Sequence, residues 1–288
     1  MERYTIVKFN QEFPDDNACL EWLFRRFYPE GIIECKICKK PTKHHRVKSR
    51  PSYSCDVCGH HVHPTADTIM HKSSTPLKLW FYAIYLMSST RMGISAKQLE
   101  RELGVTYKTA WRMFKQIRSM MNDYNDDSML TGTVEVDETY IGGVQKGFRG
   151  RNPAGGNKTP VMGMVERGGR VRTKVVKNAK APSLMPHVQE NVEPGSLIMS
   201  DQLLAYKVLP RLGYNHLTIN HTEQYVNGSV HTNTIEGFWS VMKNGIRGVY
   251  RHVEPQYLNL YAAEYAWRYS RRNSKTPMFE LLINQVTK

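Results

Sequence analysis

The chain lacks any apolar run long enough to cross a bilayer. Its longest, Leu79 to Met87, falls far short of the ~20 residues that a spanning helix needs. The opening Met1-Glu2-Arg3-Tyr4 lacks the basic-then-apolar pattern of a secretory signal, so a cytoplasmic location with no membrane partner is expected. Cysteine is scarce, five in 288 residues, and four of the five fall in two close pairs. That usage argues against a disulfide scaffold and for a metal site in a reducing compartment. Cys19, the odd one, reads as a small buried hydrophobe. Low-complexity tracts and solenoid-period repeats are missing too.

Acidic residues are also in deficit. The chain has 26 Asp and Glu against 40 Lys and Arg, a net charge of +14. The excess is spread evenly, with 20 basic and 12 acidic residues up to position 125 and 20 and 14 beyond it. It is therefore not one basic tail on a neutral protein, and a long polyanion contacted along its length is the simplest partner. An apolar fraction of 40% is enough for cores in one large domain or two to three smaller ones.

After a helical lead-in over 1–30, the segment 31–70 carries Cys35-Lys36-Ile37-Cys38 and Cys55-Asp56-Val57-Cys58, two C-x2-C knuckles 16 residues apart. Cys35, Cys38, Cys55 and Cys58 can complete a tetrahedral shell around a structural Zn²⁺. Between the knuckles run Lys39, Lys40, Lys43, Arg46, Lys48 and Arg50. Such a finger fits nucleic acid; equally, the metal can serve only to fold a lobe too poor in apolar residues to fold alone.

Over 71–125 the pattern is helical. Thr75-Pro76 opens one helix. Ser95 suits the cap of a second, with Gln98 at the capping-box position. Gly104 breaks the second helix and Thr106 can cap a third. Ala96, Leu99, Leu103, Ala110, Met113 and Ile117 share one apolar side. Tyr107, Lys108, Arg112 and Lys115 remain outside, as on a recognition helix entering a major groove, although an ordinary helical hairpin has the same pattern. The polar stretch Asn122 to Ser128 marks a boundary.

Beyond it, Thr133 to Asp137 alternates, with Glu135 and Asp137 on one face and Val134 and Val136 on the other. Thr159 to Glu166 and Arg172 to Val176 read as strands joined at Gly168-Gly169. A helix near Ser183 to Val192 precedes a strand ending at Asp201, and a further strand, His216 to Asn220, precedes a helix from about Thr234. On that helix Glu236, Ser240, Lys243 and Arg247 follow one stripe. Asp137 and Asp201 at strand ends and Glu236 on a helix can hold two divalent metals against a phosphodiester, with Lys243 reaching a phosphate. Each has a plainer alternative: Asp137 as a turn residue, Asp201 as a helix cap, Glu236 as the capping-box partner of Asn233, Lys243 as a solvated lysine. Gln145 to Lys158 is Gly-rich and basic, and Lys146, Arg149 and Arg151 suit either a DNA clamp or a flexible connection.

Val134-Glu135-Val136-Asp137-Glu138-Thr139-Tyr140-Ile141-Gly142-Gly143, Ser200-Asp201, and His231-Thr232-Asn233-Thr234-Ile235-Glu236-Gly237-Phe238-Trp239-Ser240-Val241-Met242-Lys243 closely resemble bacterial insertion-sequence transposases of the ISXO2-like type. The resemblance runs from Phe13 to about Asn273. It implies a multi-domain α/β fold: an N-terminal zinc ribbon, a helix-turn-helix domain, then over 126–288 a ribonuclease-H-like mixed sheet flanked by helices. It also implies a DDE-type transposase that cleaves and transfers DNA strands at the inverted-repeat ends of its element. Asp137, Asp201 and Glu236 would bind two Mg²⁺ or Mn²⁺ ions, and Lys243 would touch DNA. Some relatives place asparagine third, which keeps Asn233 as an alternative to Glu236. Glu138 is expected on the opposite strand face. The implied partners are double-stranded DNA, both element ends and target, and further copies of the chain during synapsis. The alternative is a non-enzymatic DNA-binding regulator of transposase descent.

Overall fold

The computed structural model describes residues 3–122, 128–142, 158–219 and 231–286. It divides into two compact units, Met1–Met120 with Lys275–Lys288, and Met121–Ser274. Lys146, Arg149 and Arg151 lie outside the described residues.

The first unit begins with α1 (Ile6–Glu12) and α2 (Asp16–Phe27), capped by the side chains of Thr5 and Asp15. Strands β1 (Ile32–Glu34), β2 (Pro41–Val47), β3 (Ser52–Cys55) and β4 (His61–Val62) form an antiparallel sheet in that order. Its own core is slight: Tyr53 stacks on Phe24 of α2 with ring centroids 3.6 Å apart, beside Leu20. Three helices follow, α3 (Leu77–Ser89), α4 (Ala96–Leu103) and α5 (Tyr107–Met120). Ser95 Oγ accepts from Gln98 N, capping α4, and Gly104 ends it at φ +63°, a left-handed conformation that costs glycine nothing. The reciprocal half of a capping box does not form, because the Gln98 amide turns along the helix to Glu102.

Residues 275–288 belong to this unit, not to the one expected over 126–288. Phe279, on a short helix Met278–Ile283, sits against the rings of Tyr4, Phe9, Phe13 and Tyr85. Burial of aromatic area outweighs chain proximity here.

The second unit is built on a five-stranded sheet: β5 (Thr133–Gly142), β6 (Lys158–Glu166), β7 (Val171–Val175), β8 (Leu197–Ser200) and β9 (Asn215–Thr218), in the order β7-β6-β5-β8-β9. The first three are antiparallel neighbours, whereas β8 runs parallel to β5 and β9 parallel to β8. Helix α6 (Ala181–Asn191) joins β7 to β8, and a 3-10 segment (Leu204–Leu212) joins β8 to β9. Val134, Val136, Met162, Met164 and Ile198 pack on one face of the sheet against Leu184 and Val188 of α6 and Tyr206 and Leu209 of the 3-10 segment. The other face of β5 meets α7 (Asn233–Gly245), which buries Ile235, Phe238, Trp239 and Met242. A π-helical turn, Ile246–Tyr250, continues α7, and α8 (Pro255–Ser270) follows. Helix α8 closes the β7 edge, where Ser270 Oγ and Asn259 Oδ1 accept from the backbone N–H groups of Val171 and Val175. Those donors would otherwise be open to pairing by another chain.

Candidate active site and cysteine cluster

The parallel register explains why two acids 64 residues apart meet. Thr133 pairs with Leu197, Val134 with Ile198 and Glu135 with Met199. Two residues further on, the same register sets Asp137 beside Asp201. Side-chain oxygens of Asp137, Glu138 and Asp201 lie within 4.8 Å of one another. Glu138 keeps the face that alternation demands, where the buried Tyr206 hydroxyl donates to its Oε2 at 3.1 Å. It nevertheless joins the cluster, with Asp201 lying just past the end of β8 at Ser200. The sequence reading placed Glu138 on that face and did not group it with Asp137 and Asp201. The field of the three acids is visible at Tyr206. Burial first, and then the charges of Glu138, Asp137 and Asp201, push its phenol well above the usual tyrosine range.

Asp201 Oδ1 also accepts from Leu203 N at 2.9 Å, which aims the carboxylate; the cap position of the 3-10 segment that follows is Leu203, not Asp201. Asp137 Oδ2 accepts from the indole Nε1 of Trp239 at 3.0 Å, which ties α7 to β5. This approach requires Gly163, the β6 partner of Asp137. A Cβ at that position would lie 2.6 Å from the Trp239 ring. Glycine inside a strand commonly marks such a close approach.

A second tie lies at the start of α7. Glu135, fully buried, accepts from Thr234 N at 2.8 Å and Ile235 N at 3.0 Å through Oε2, and from Thr234 Oγ1 at 2.8 Å through Oε1. Arg167 Nε donates to Oε1 at 2.7 Å, and Arg167 also donates to the His231 carbonyl at 2.9 Å. A carboxylate at the positive end of a helix, with its charge balanced by a guanidinium, is a favourable use of a buried charge. Sequence reasoning put Glu135 on the Asp137 face, and that was the available signal for its role.

Glu236 lies outside the three-acid cluster. Its Oε1 accepts from Thr232 Oγ1 at 2.9 Å, so the residue that flanks the helix start and bonds to Glu236 is Thr232 rather than Asn233. Lys243, two turns along α7, is half-buried. Burial lowers its ammonium pKa; the nearby Asp137 opposes that shift, while Arg247 and Lys158 add to it. Lys243 is therefore within electrostatic reach of Asp137.

In the first unit the four cysteine sulfurs form one group. Cys35 Sγ and Cys58 Sγ are 3.6 Å apart, and Cys38 Sγ and Cys55 Sγ 3.9 Å. A tetrahedron with Zn–S bonds of ~2.3 Å has edges of about 3.8 Å, so the spacing fits zinc. The Thr42 hydroxyl, followed by the backbone N–H groups of Cys58 and Val57, brings the Cys55 thiol down to about 6, toward the thiolate that a metal requires. Tyr107, Lys108, Arg112 and Lys115 all sit on the exposed side of α5, with the Arg112 guanidinium 5.8 Å from the Trp80 ring centroid. Among the described residues no helix is long and apolar enough to cross a membrane.

A mixed α/β sheet with a carboxylate cluster on adjacent parallel strands thus defines the second unit. Residues 129–270 match the ISXO2-like transposase domain, and this part of the chain belongs to the DDE transposases of insertion sequences. An uncharacterized protein in transposable element ISH50 of Halobacterium salinarum is 27% identical, over 73% of this chain and 76% of its own. An uncharacterized transposase-like protein of Haemophilus influenzae is 28% identical, over 41% of this chain and 94% of its own. Among solved structures, the Mos1 strand transfer complex aligns at a TM-score of 0.26 and 12% identity, covering 65% of this chain and 76% of that one. The Mos1 paired-end complex with left transposon end aligns at 0.22 and 13%, covering 65% and 78%. Likeness at that level bears on neither fold nor chemistry.

Proposed function

We propose that the chain cleaves DNA at the inverted-repeat ends of its own element and joins the freed 3′ ends to target DNA by phosphoryl transfer. The observation that carries this reading is the Asp137–Glu138–Asp201 cluster inside a matched transposase domain. The donor set is all carboxylate oxygen, the chemistry that Mg²⁺ and Mn²⁺ prefer. Two such ions, when bound, would activate the attacking water or 3′-hydroxyl and stabilise the leaving oxygen. Asp137 and Asp201 are the proposed ligands, with Glu236 supplied by α7. The Trp239 and Glu135 ties hold that helix against β5, and Lys243 offers its ammonium to a DNA phosphate. The sheet order, three antiparallel strands followed by two parallel ones, supports the ribonuclease-H-like reading.

For the first unit, we infer a zinc ribbon at Cys35, Cys38, Cys55 and Cys58. The capped pair α4–α5 would serve as a helix-turn-helix that lays Tyr107, Lys108, Arg112 and Lys115 into the major groove of the element ends. Synapsis of two ends implies a dimer or larger assembly.

The test uses duplexes taken from the DNA flanking the gene. Asp137→Asn, Asp201→Asn and Glu236→Gln are each expected to abolish Mg²⁺-dependent nicking and joining while leaving duplex binding intact. Full transfer by Glu236→Gln would move the third ligand to Asn233 or to Glu138, which Asn233→Ala and Glu138→Gln would then separate. Metal-independent cutting, or none by the unaltered chain, would overturn the reading.

A further inference from the structure

Beyond the acids, β5 and the end of α7 enclose a recess of about 90 Å³, lined by Tyr140, Gly142, Lys243, Arg247, Arg251 and His252 among others. None of the residues lining it is acidic. Lys243 and Arg247 share a helix face at i, i+4, and Lys158 lies close enough to oppose the charge on Lys243. The helix then widens into the π turn Ile246–Tyr250, a feature found mostly as single-turn bulges in α-helices and frequent at functional sites. The turn ends on Arg251 at φ +63°, ψ −49°. Side-chain-bearing residues rarely adopt that conformation, and it persists only where the surroundings impose it. The combined effect is to return Arg251 and His252 to the same recess as Lys243. Concentrating like charges in a concave site opposes folding unless an anion is there to be bound.

The recess begins three residues beyond Asp137 on β5, about 10 Å along the strand at ~3.3 Å per residue. We infer that it binds a backbone phosphate of the DNA, a few nucleotides from the phosphodiester that the acids act on, with Arg247 and Arg251 as donors beside Lys243. The inference rests on the phosphoryl-transfer reading for its choice of anion. Guanidinium groups suit the role, since each can fork onto two phosphate oxygens.

The experiment is binding of the full-length chain to a mixed-sequence DNA duplex, followed by fluorescence anisotropy between roughly 50 and 200 mM KCl. Removing one cation that neutralises a phosphate lowers the slope of log K against log salt by about 0.9. Arg247→Gln and Arg251→Gln are each expected to lower the slope by that amount, with a several-fold weaker affinity, and the double variant by about twice as much. Arg251→Gly supplies the folding control. It relieves the left-handed backbone, so it should melt no lower than the unaltered chain and still show the lowered slope. Unchanged slopes in the Arg247→Gln and Arg251→Gly chains would overturn the inference. The proposed chemistry is read separately, because Asp137→Asn should keep the full slope while losing cleavage. An unaltered chain that binds with the expected slopes but never cuts would sink the catalytic reading and leave the phosphate subsite standing.

Discussion

Gly163→Ala tests how α7 is held. A Cβ at Gly163 would stand 2.6 and 2.7 Å from Cζ2 and Cη2 of Trp239 and 3.2 Å from Cδ1 of Ile235. Carbon atoms in contact settle at ~3.5–4.0 Å, so the indole must withdraw by about 1 Å. It has little room to do so: Trp239 is 4% exposed, Phe238 packs beside it at 5.0 Å between centroids, and its Nε1 is bonded to Asp137. Overpacking of this kind costs about 1–3 kcal/mol. Losing a hydrogen bond to a charged group costs about 1.5–3 kcal/mol. The backbone entropy recovered by replacing glycine offsets about 0.5–1 kcal/mol of this. A net loss of about 2–4 kcal/mol is expected, read by urea denaturation of the unaltered and variant chains. The same substitution in a Trp239→Leu background should cost less than about 1 kcal/mol, since the ring it strikes is gone, and the difference is the coupling energy. Strand cleavage should fall further than duplex affinity, because displacement of Trp239 takes a hydrogen-bond partner from Asp137, whereas Lys108, Arg112 and Lys115 of α5 lie in the other unit. Equal costs in the two backgrounds, or unchanged stability of the single variant, would refute the close approach.

Glu135→Ala removes the partner of Arg167 and the acceptor for the first N–H groups of α7. It should destabilise the protein by about 3 kcal/mol or more, and a loss below about 1 kcal/mol in urea unfolding would deny it that anchoring role. Metal analysis of the purified chain should return one zinc per molecule, and Cys55→Ser should lose it together with the ordered lobe; circular dichroism unchanged by chelator would contradict a structural metal. Lys108→Ala and Arg112→Ala should weaken binding to element-end duplexes by different amounts for end and scrambled sequences if α5 reads bases, whereas a uniform loss would reduce both to phosphate contacts. Tyr206→Phe deletes the hydroxyl that Glu138 accepts from. Loss of cleavage with a raised metal requirement would mark Glu138 as part of the metal site, and wild-type metal dependence would leave it outside.

Much of the arrangement was legible in local pattern. Period-2 alternation located β5 and the side on which Asp137 stands, the Gly168-Gly169 turn located the β6–β7 hairpin, and knuckle spacing located the cysteine group. Capping chemistry placed α4 through Ser95 and ended it at Gly104. These features depend on residues a few positions apart, whose preferences are expressed in any context. The misses share a different cause. Alternation places Glu138 on the face opposite Asp137, where it stands, but does not say that its carboxylate reaches Asp137 and Asp201. Met278–Ile283 was assigned by chain order, yet its aromatic neighbours are Tyr4 and Phe9.

By itself, then, the sequence determined the kinds of element, the hard carboxylate donors, the soft cysteine donors and the excess of positive charge, because each follows from side-chain chemistry and short-range periodicity. Only the tertiary structure decided which acids meet. Asp137 and Asp201 are brought side by side by the register between two parallel strands, and a crossover connection leaves that register unspecified until the hydrophobic faces have packed. The same packing set Trp239 over Gly163, buried Glu135 at the start of α7 and curled Arg251 back toward Lys243, pairings between residues that no local pattern links.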